Sequence, residues 1–128
     1  MPKINDWREF MPRPRKCRKV CCLPVQDIFC PVGQVYEEER AVVLGVDEYE
    51  ALRLIDYRGM TQEECGSYMR IARTTVQQIY DGARRKLAQA LVEGRPIRIV
   101  GGQYQLCDGA EVVCGCGGCK KHRQEAGE

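Results

Sequence analysis

The sequence predicts a mainly α fold: three helices that form a helix-turn-helix, with a small β element made of an N-terminal strand and a C-terminal hairpin. Three observations lead there. Apolar residues recur at helical spacing between residues 47 and 93, with breaks at Gly59 and at 70–72. Capping signatures open the first two segments: Asp47 with Glu50, and Thr61 with Glu64. Two β-prone runs, 97–100 and 103–106, flank Gly101-Gly102.

Each element has its own justification. Pro12 and Pro14 keep the Arg-rich start of the chain extended. Residues 18–23 read as a short strand ending at Pro24. Asp47 is expected to cap the first helix, with Tyr49, Leu52 and Ile55 on its buried face and Gly59 ending it at positive φ. Thr61 caps the second helix, whose apolar face is Cys65, Tyr68 and Met69. Gly66 inside that helix costs about 1 kcal/mol relative to Ala. A turn at 70–72 leads to a third helix over 73–93. Its buried stripe is Val76, Ile79, Tyr80, Ala83, Leu87 and Leu91, Gly94 closes it, and Pro96 blocks its continuation. The Gly101-Gly102 hairpin is expected to pair with the strand near Val20, since an isolated hairpin is marginal.

With 128 residues and 44% hydrophobic content, the chain suits one compact domain with appendages. The expected division is a basic extended arm (1–19), a helix-turn-helix domain with the small β element (20–106), and a Cys-rich tail (107–128). No apolar run is long enough for a transmembrane helix, and the basic start lacks the apolar stretch of a secretory signal, so the cytoplasm is expected. The net charge of +2 hides segregation: residues 1–19 carry +5, 37–64 carry −6, and 70–98 carry +5.

The basic blocks coincide with a nucleic-acid-reading pattern. Opposite the stripe of the third helix stand Arg73, Thr74, Gln77 and Gln78, with Asp81 the one acid among them. Arg can grip guanine, Gln can pair with adenine, and the Thr methyl can touch thymine. These four are the expected base readers. Arg70, Arg84, Arg85 and Lys86 are the expected phosphate contacts, joined by Arg13, Arg15 and Lys16 of the arm, which suits a narrow minor groove. The alternative for the arm is a solvated tail. One such motif spans few base pairs, so a homodimer or higher homo-oligomer on double-stranded DNA is expected.

Asp47-Glu48-x-Glu50-Ala51-Leu52-Arg53-Leu54, Thr61-Gln62-Glu63-Glu64 and Ala83-Arg84-Arg85-Lys86-Leu87 resemble the promoter-reading C-terminal region of sigma factors. With Arg13-Pro14-Arg15-Lys16-Cys17-Arg18 and Leu91-Val92-Glu93-Gly94-Arg95 included, residues 12–106 are similar to a prokaryotic family of predicted DNA-binding proteins, domain of unknown function 134. The resemblance implies a sigma-like helix-turn-helix and a role in transcription regulation. Arg70 and Ala72 stand where such turns usually have Gly and Ser, and the missing Ser cap should cost the third helix about 1 kcal/mol.

Nine cysteines are many for a cytosolic chain, where thiols stay reduced or bind metal. In the tail, Cys114, Cys116 and Cys119 alternate with glycines that let backbone wrap an ion. Cys107 or His122 would complete a zinc site, and an iron–sulfur cluster is the alternative. Cys17, Cys21, Cys22 and Cys30 are left open between metal binding and packing. Cys65 reads as a core residue. The sequence has no phosphate-binding glycine loop, and His122 is the single histidine, so no enzyme is expected. The alternatives are a thiol-redox or metal-binding protein built on the tail, and an adaptor contacting transcription machinery.

Overall fold

The structure is a computed structural model that describes residues 18–107. In chain order the elements are β1 (Arg18–Val20), β2 (Ile28–Phe29), a 3-10 turn (Glu38–Arg40), β3 (Val42–Leu44), α1 (Val46–Leu52) continued by a π-helical turn (Arg53–Tyr57), α2 (Gln62–Met69), α3 (Arg73–Glu93), β4 (Ile97–Ile99) and β5 (Tyr104–Leu106). The mainly α class with small β elements is as the sequence predicts. β3 and β4 are parallel neighbours (Val42 opposite Ile97, Leu44 opposite Ile99), and all three helices form the crossover between them. The helices therefore start and finish on one small sheet.

The strands do not form the expected hairpin. β4 lies between β2, antiparallel, and β3, parallel. Both its edges are taken, so β5 has no place beside it. Gly101 and Gly102 (φ 82° and 92°) instead carry the chain over the start of α1. There the Gly101 carbonyl accepts from the Val46 N–H at 2.9 Å, and a Cβ on Gly102 would collide with Asp47 Oδ1. β5 then pairs in parallel with β1, Val20 opposite Leu106, so the expected partnership with the strand near Val20 does exist.

The start of α1 is two residues earlier than expected. Gly45 is its N-cap, and Glu48 reaches back to accept from the Gly45 N–H at 2.8 Å. Asp47 is buried and receives Arg18 Nη1 at 2.9 Å. The deeply buried face of α1 is Glu50, Ala51 and Leu54, with Tyr49, Leu52 and Ile55 only partly covered. Glu50, fully buried, accepts from Nε and Nη2 of Arg53, each at 2.9 Å, and from the Cys21 N–H at 3.1 Å. The Glu50 carboxylate holds the Arg53 guanidinium charged, raising its pKa. Arg18 and Lys19, placed at the end of the arm and at the start of the strand expected over 18–23, belong to β1, with the Lys19 ammonium 4.3 Å from the centre of the Tyr68 ring.

α2 follows the sequence closely. Thr61 Oγ1 accepts from the Glu64 N–H at 3.0 Å, and Glu64 Oε1 accepts from the Thr61 N–H at 2.9 Å. Cys65, Tyr68 and Met69 are buried, and burial pushes the Cys65 thiol up to about 11. Gly66 has a reason the sequence did not reveal. A Cβ there would lie 2.9 Å from the Ile71 carbonyl oxygen and 3.3 Å from Val76 Cγ2, so its absence lets the turn and α3 close onto α2.

α3 matches its expected bounds, and Gly94 closes it at φ 66°. Val76 and Ala83 are buried, Ile79 and Tyr80 partly so. Leu91 is a correction: it is 79% exposed, and Ala90 takes the inward position. The helix runs past the edge of the core at its last turns, so only a small side chain meets neighbours there.

Candidate nucleic-acid interface

The α2–turn–α3 unit is set by three local choices. Arg70 adopts left-handed geometry (φ 64°, ψ 44°), and the Gly66 carbonyl accepts from both the Arg70 and Ile71 N–H groups. Ala72 then sits in extended geometry as N-cap of α3, with no side chain able to accept from the first turn. The two positions at which this sequence departs from Gly and Ser are therefore the C-cap of one helix and the N-cap of the next. Ala72→Ser should add a hydrogen bond to the first-turn N–H groups and about 1 kcal/mol of stability. A thermal melt is expected to show a rise of several degrees; no rise would mean that those N–H groups are already satisfied.

The turn projects the first half of α3 outward. Arg73, Thr74, Gln77, Gln78, Asp81, Arg84 and Arg85 are all exposed, on the side away from Val76 and Ala83. The first turn of α3 contains no acid. α2 differs, since Glu63 and Glu64 lie in its first turn and Thr61 caps it. The partial positive charge at the start of α3 is thus uncompensated by side chains, and Arg73 adds to it.

The expected phosphate contacts separate into two kinds. Arg84 and Arg85 remain on the outward face. Arg84 is 62% exposed and stacks over Tyr80, 5.3 Å from the ring centre, with Asp56 at 3.7 Å. An exposed pair at that distance contributes little and can exchange for another anion. Lys86 is different. Its ammonium meets both oxygens of Glu48, at 2.8 and 3.0 Å, and so fastens α3 to α1. One turn earlier, Gly82 leaves room for this contact, because a Cβ there would be 3.3 Å from Glu48 Oε2. A glycine within a long helix, about 1 kcal/mol worse than Ala, was the available signal for that close approach. Tyr80 Oη donates to Asp56 Oδ1 at 2.7 Å, which raises the phenol's pKa and ties α3 to the π turn.

Beyond this face, an open apolar groove of about 590 Å³ is lined by Phe29, Tyr49, Leu52, Tyr57, Leu87 and Ile97, among others. Arg13, Arg15, Lys16, Cys114, Cys116, Cys119 and His122 lie outside the described residues. Cys107 is buried at the end of β5. Among the described residues, no three His, Cys, Asp or Glu side chains are grouped closely enough to hold a metal ion, and no helix is long and apolar enough to cross a membrane.

Comparison with known proteins accords with the motifs. The profile of the family described as "Protein of unknown function DUF134" matches residues 8–107. A UPF0251 protein of Desulfitobacterium hafniense (strain Y51) is 53% identical over 117 residues, covering 91% of this chain and 93% of the relative. UPF0251 proteins of Thermoanaerobacter pseudethanolicus and of Clostridium botulinum (strain Loch Maree / Type A3) are each 46% identical. These alignments cover 77% and 82% of this chain, and 83% and 68% of the relatives. No solved structure matches. Sequence motifs, matched length and relatives agree: the chain belongs to the DUF134 family.

Proposed function

We propose that this protein is a sequence-specific DNA-binding regulator of transcription, without enzymatic activity, that works in the cytoplasm and places the first half of α3 in the major groove. The observation that carries the reading is the outward face of α3: Arg73, Thr74, Gln77 and Gln78 at a helix start with no acid in its first turn and no side-chain cap, followed further along by Arg84 and Arg85. Arg73, Thr74, Gln77 and Gln78 occupy the first two turns and read bases. Arg84 and Arg85 follow about 15 Å further along the axis, beyond the width of the groove, and meet the phosphate wall. Lys86 is left out of the phosphate set because Glu48 holds it. Arg70, at the turn, adds a phosphate contact beside the helix start.

A second copy supplies the second half-site. The apolar groove, together with exposed Leu91 and Val92, offers surface for that association. The test is selection from a random duplex pool with the full chain, followed by binding to the selected and to scrambled duplexes. A single enriched motif with dyad symmetry, bound far more tightly than scrambled DNA, is expected. Enrichment of no motif would overturn the reading.

The arm acts through charge. Deleting residues 1–16 removes Arg13, Arg15 and Lys16, and should flatten the plot of log affinity against log salt by about 3 units, near 0.9 for each lost phosphate contact. Fluorescence anisotropy at several salt concentrations reads the slope, and an unchanged slope would show that the arm does not touch phosphate.

A further inference from the structure

Cys21 and Cys22 follow β1 directly, and the chain bends at Cys21. Their sulfurs stand 3.6 Å apart, with Cys21 buried and Cys22 exposed. A disulfide needs about 2.05 Å, so the two sulfurs are within about 1.5 Å of bonding. The other described cysteines are placed differently. Cys65 lies in the core against Met69 Sδ at 3.7 Å, where burial pushes its thiol up to about 11. Cys107 is buried at the end of β5, and Cys30 turns its sulfur to the Gln34 carbonyl at 3.7 Å. Among the described residues Cys22 is thus the thiol most open to solvent, and it already has a second thiol in contact. Arg53 is held protonated by Glu50, and a negative charge on Cys21 interacts favourably with it. A cation near a sulfur pair favours attack by the thiolate form.

We propose that Cys21 and Cys22 are an oxidation site for hydroperoxides, closed into a disulfide between adjacent residues, and that closing it loosens the tie between β1 and α1. The Cys22 thiolate attacks an oxygen of hydrogen peroxide. The O–O bond breaks, hydroxide leaves and takes up the proton that Cys22 gave to solvent, and Cys22 becomes a sulfenic acid. The Cys21 sulfur then attacks the Cys22 sulfur. The S–O bond breaks, the hydroxyl leaves with the Cys21 proton as a second water, and the S–S bond forms. The two thiols lose two electrons, which the one peroxide gains. A dithiol reopens the bond by exchange. The structural consequence follows from how the bend is held. The Val20 carbonyl accepts from the Cys107 N–H at 2.8 Å, and the next N–H, that of Cys21, donates to Glu50 at 3.1 Å. The Val20–Cys21 peptide is therefore fixed on both sides, and Cys21 itself belongs to the core cluster with Val20, Leu54 and Met69. Bringing its sulfur onto Cys22 draws it away from that cluster and tightens the bend, at the expense of the bond to Glu50.

This inference stands apart from DNA binding, and its test uses no DNA. The full chain, reduced and purified anaerobically with a chelator, is treated with one equivalent of hydrogen peroxide. The remaining thiols are alkylated, and the tryptic peptide Val20–Arg40, which holds Cys21, Cys22 and Cys30, is weighed. The expected product has lost two hydrogens and carries an alkyl group on Cys30 alone. Dithiothreitol before alkylation should restore all three alkylated cysteines. Cys30→Ser should still close the pair, and Cys22→Ser, at an exposed position, should fold as the parent does and form no such bond. Adjacent residues enclose almost no loop, so the bond restrains the unfolded chain little, and its cost in the folded chain decides the sign of the stability change. The oxidised protein should therefore melt several degrees below the reduced one, and peroxide should not shift the melt of Cys22→Ser. Cys22 recovered unreacted, as a sulfenic acid or joined to another cysteine would overturn the inference, as would a closed pair that leaves the melting temperature unchanged.

Discussion

Replacing Arg73, Gln77 and Gln78 together by Ala is expected to lower affinity for the selected duplex by a hundredfold to ten-thousandfold, while binding to scrambled duplex falls only severalfold. Each well-made base contact discriminates by about 1–3 kcal/mol, and about 1.4 kcal/mol is a factor of ten. In the proposed reading random DNA is held mainly through phosphates, to which Arg84, Arg85 and the arm would still contribute. The three positions are exposed and Ala favours helix, so the variant should melt at or above the temperature of the parent. Anisotropy titrations on both duplexes separate the outcomes. Equal losses on the two would show that these side chains supply charge or bulk and not recognition.

Glu50→Ala is expected to destabilise the fold by about 3–5 kcal/mol, a large share of the stability of a domain this size. Glu50 is fully buried, and its carboxylate satisfies the Arg53 guanidinium and the Cys21 N–H together. Removing it strands a largely covered cation and leaves a backbone donor without its acceptor. The group also joins the bend after β1 to α1, so its loss should loosen the helix pair that orients α3. Replacing Glu50 and Arg53 together should be less damaging than Glu50→Ala alone, because no charge is then stranded. Urea melts read both variants, and a loss below about 1 kcal/mol for Glu50→Ala would show that the pair is dispensable.

The helices were legible because their determinants are local. The Thr61–Glu64 box, Gly59, Gly94 and the Val76–Ala83 stripe each act within a few residues, and the structure has them as expected. The strand pairing was not legible, because it depends on competition for edges. Gly101-Gly102 carries a hairpin signal, yet β2 and β3 had already occupied both sides of β4. The two-residue β2 is too short to have a readable period. Burial misled at the start of α1, where acidic residues read as caps: Asp47 and Glu50 are buried, each answered by an arginine, Arg18 or Arg53. The outward face of α3 followed from the inward one, since a helix with Val76 and Ala83 inside must turn Arg73, Thr74 and Gln77 out. Lys86 escaped that logic because its partner Glu48 is 38 residues away.

The claim that α3 enters the major groove is tested most directly by methylation interference on the selected duplex. Methyl groups placed on guanine N7 project into the major groove. Interference confined to guanines in each half of the motif, and lost at one of them in Arg73→Ala, is the result predicted. Binding indifferent to N7 methylation but abolished by a minor-groove ligand would contradict it.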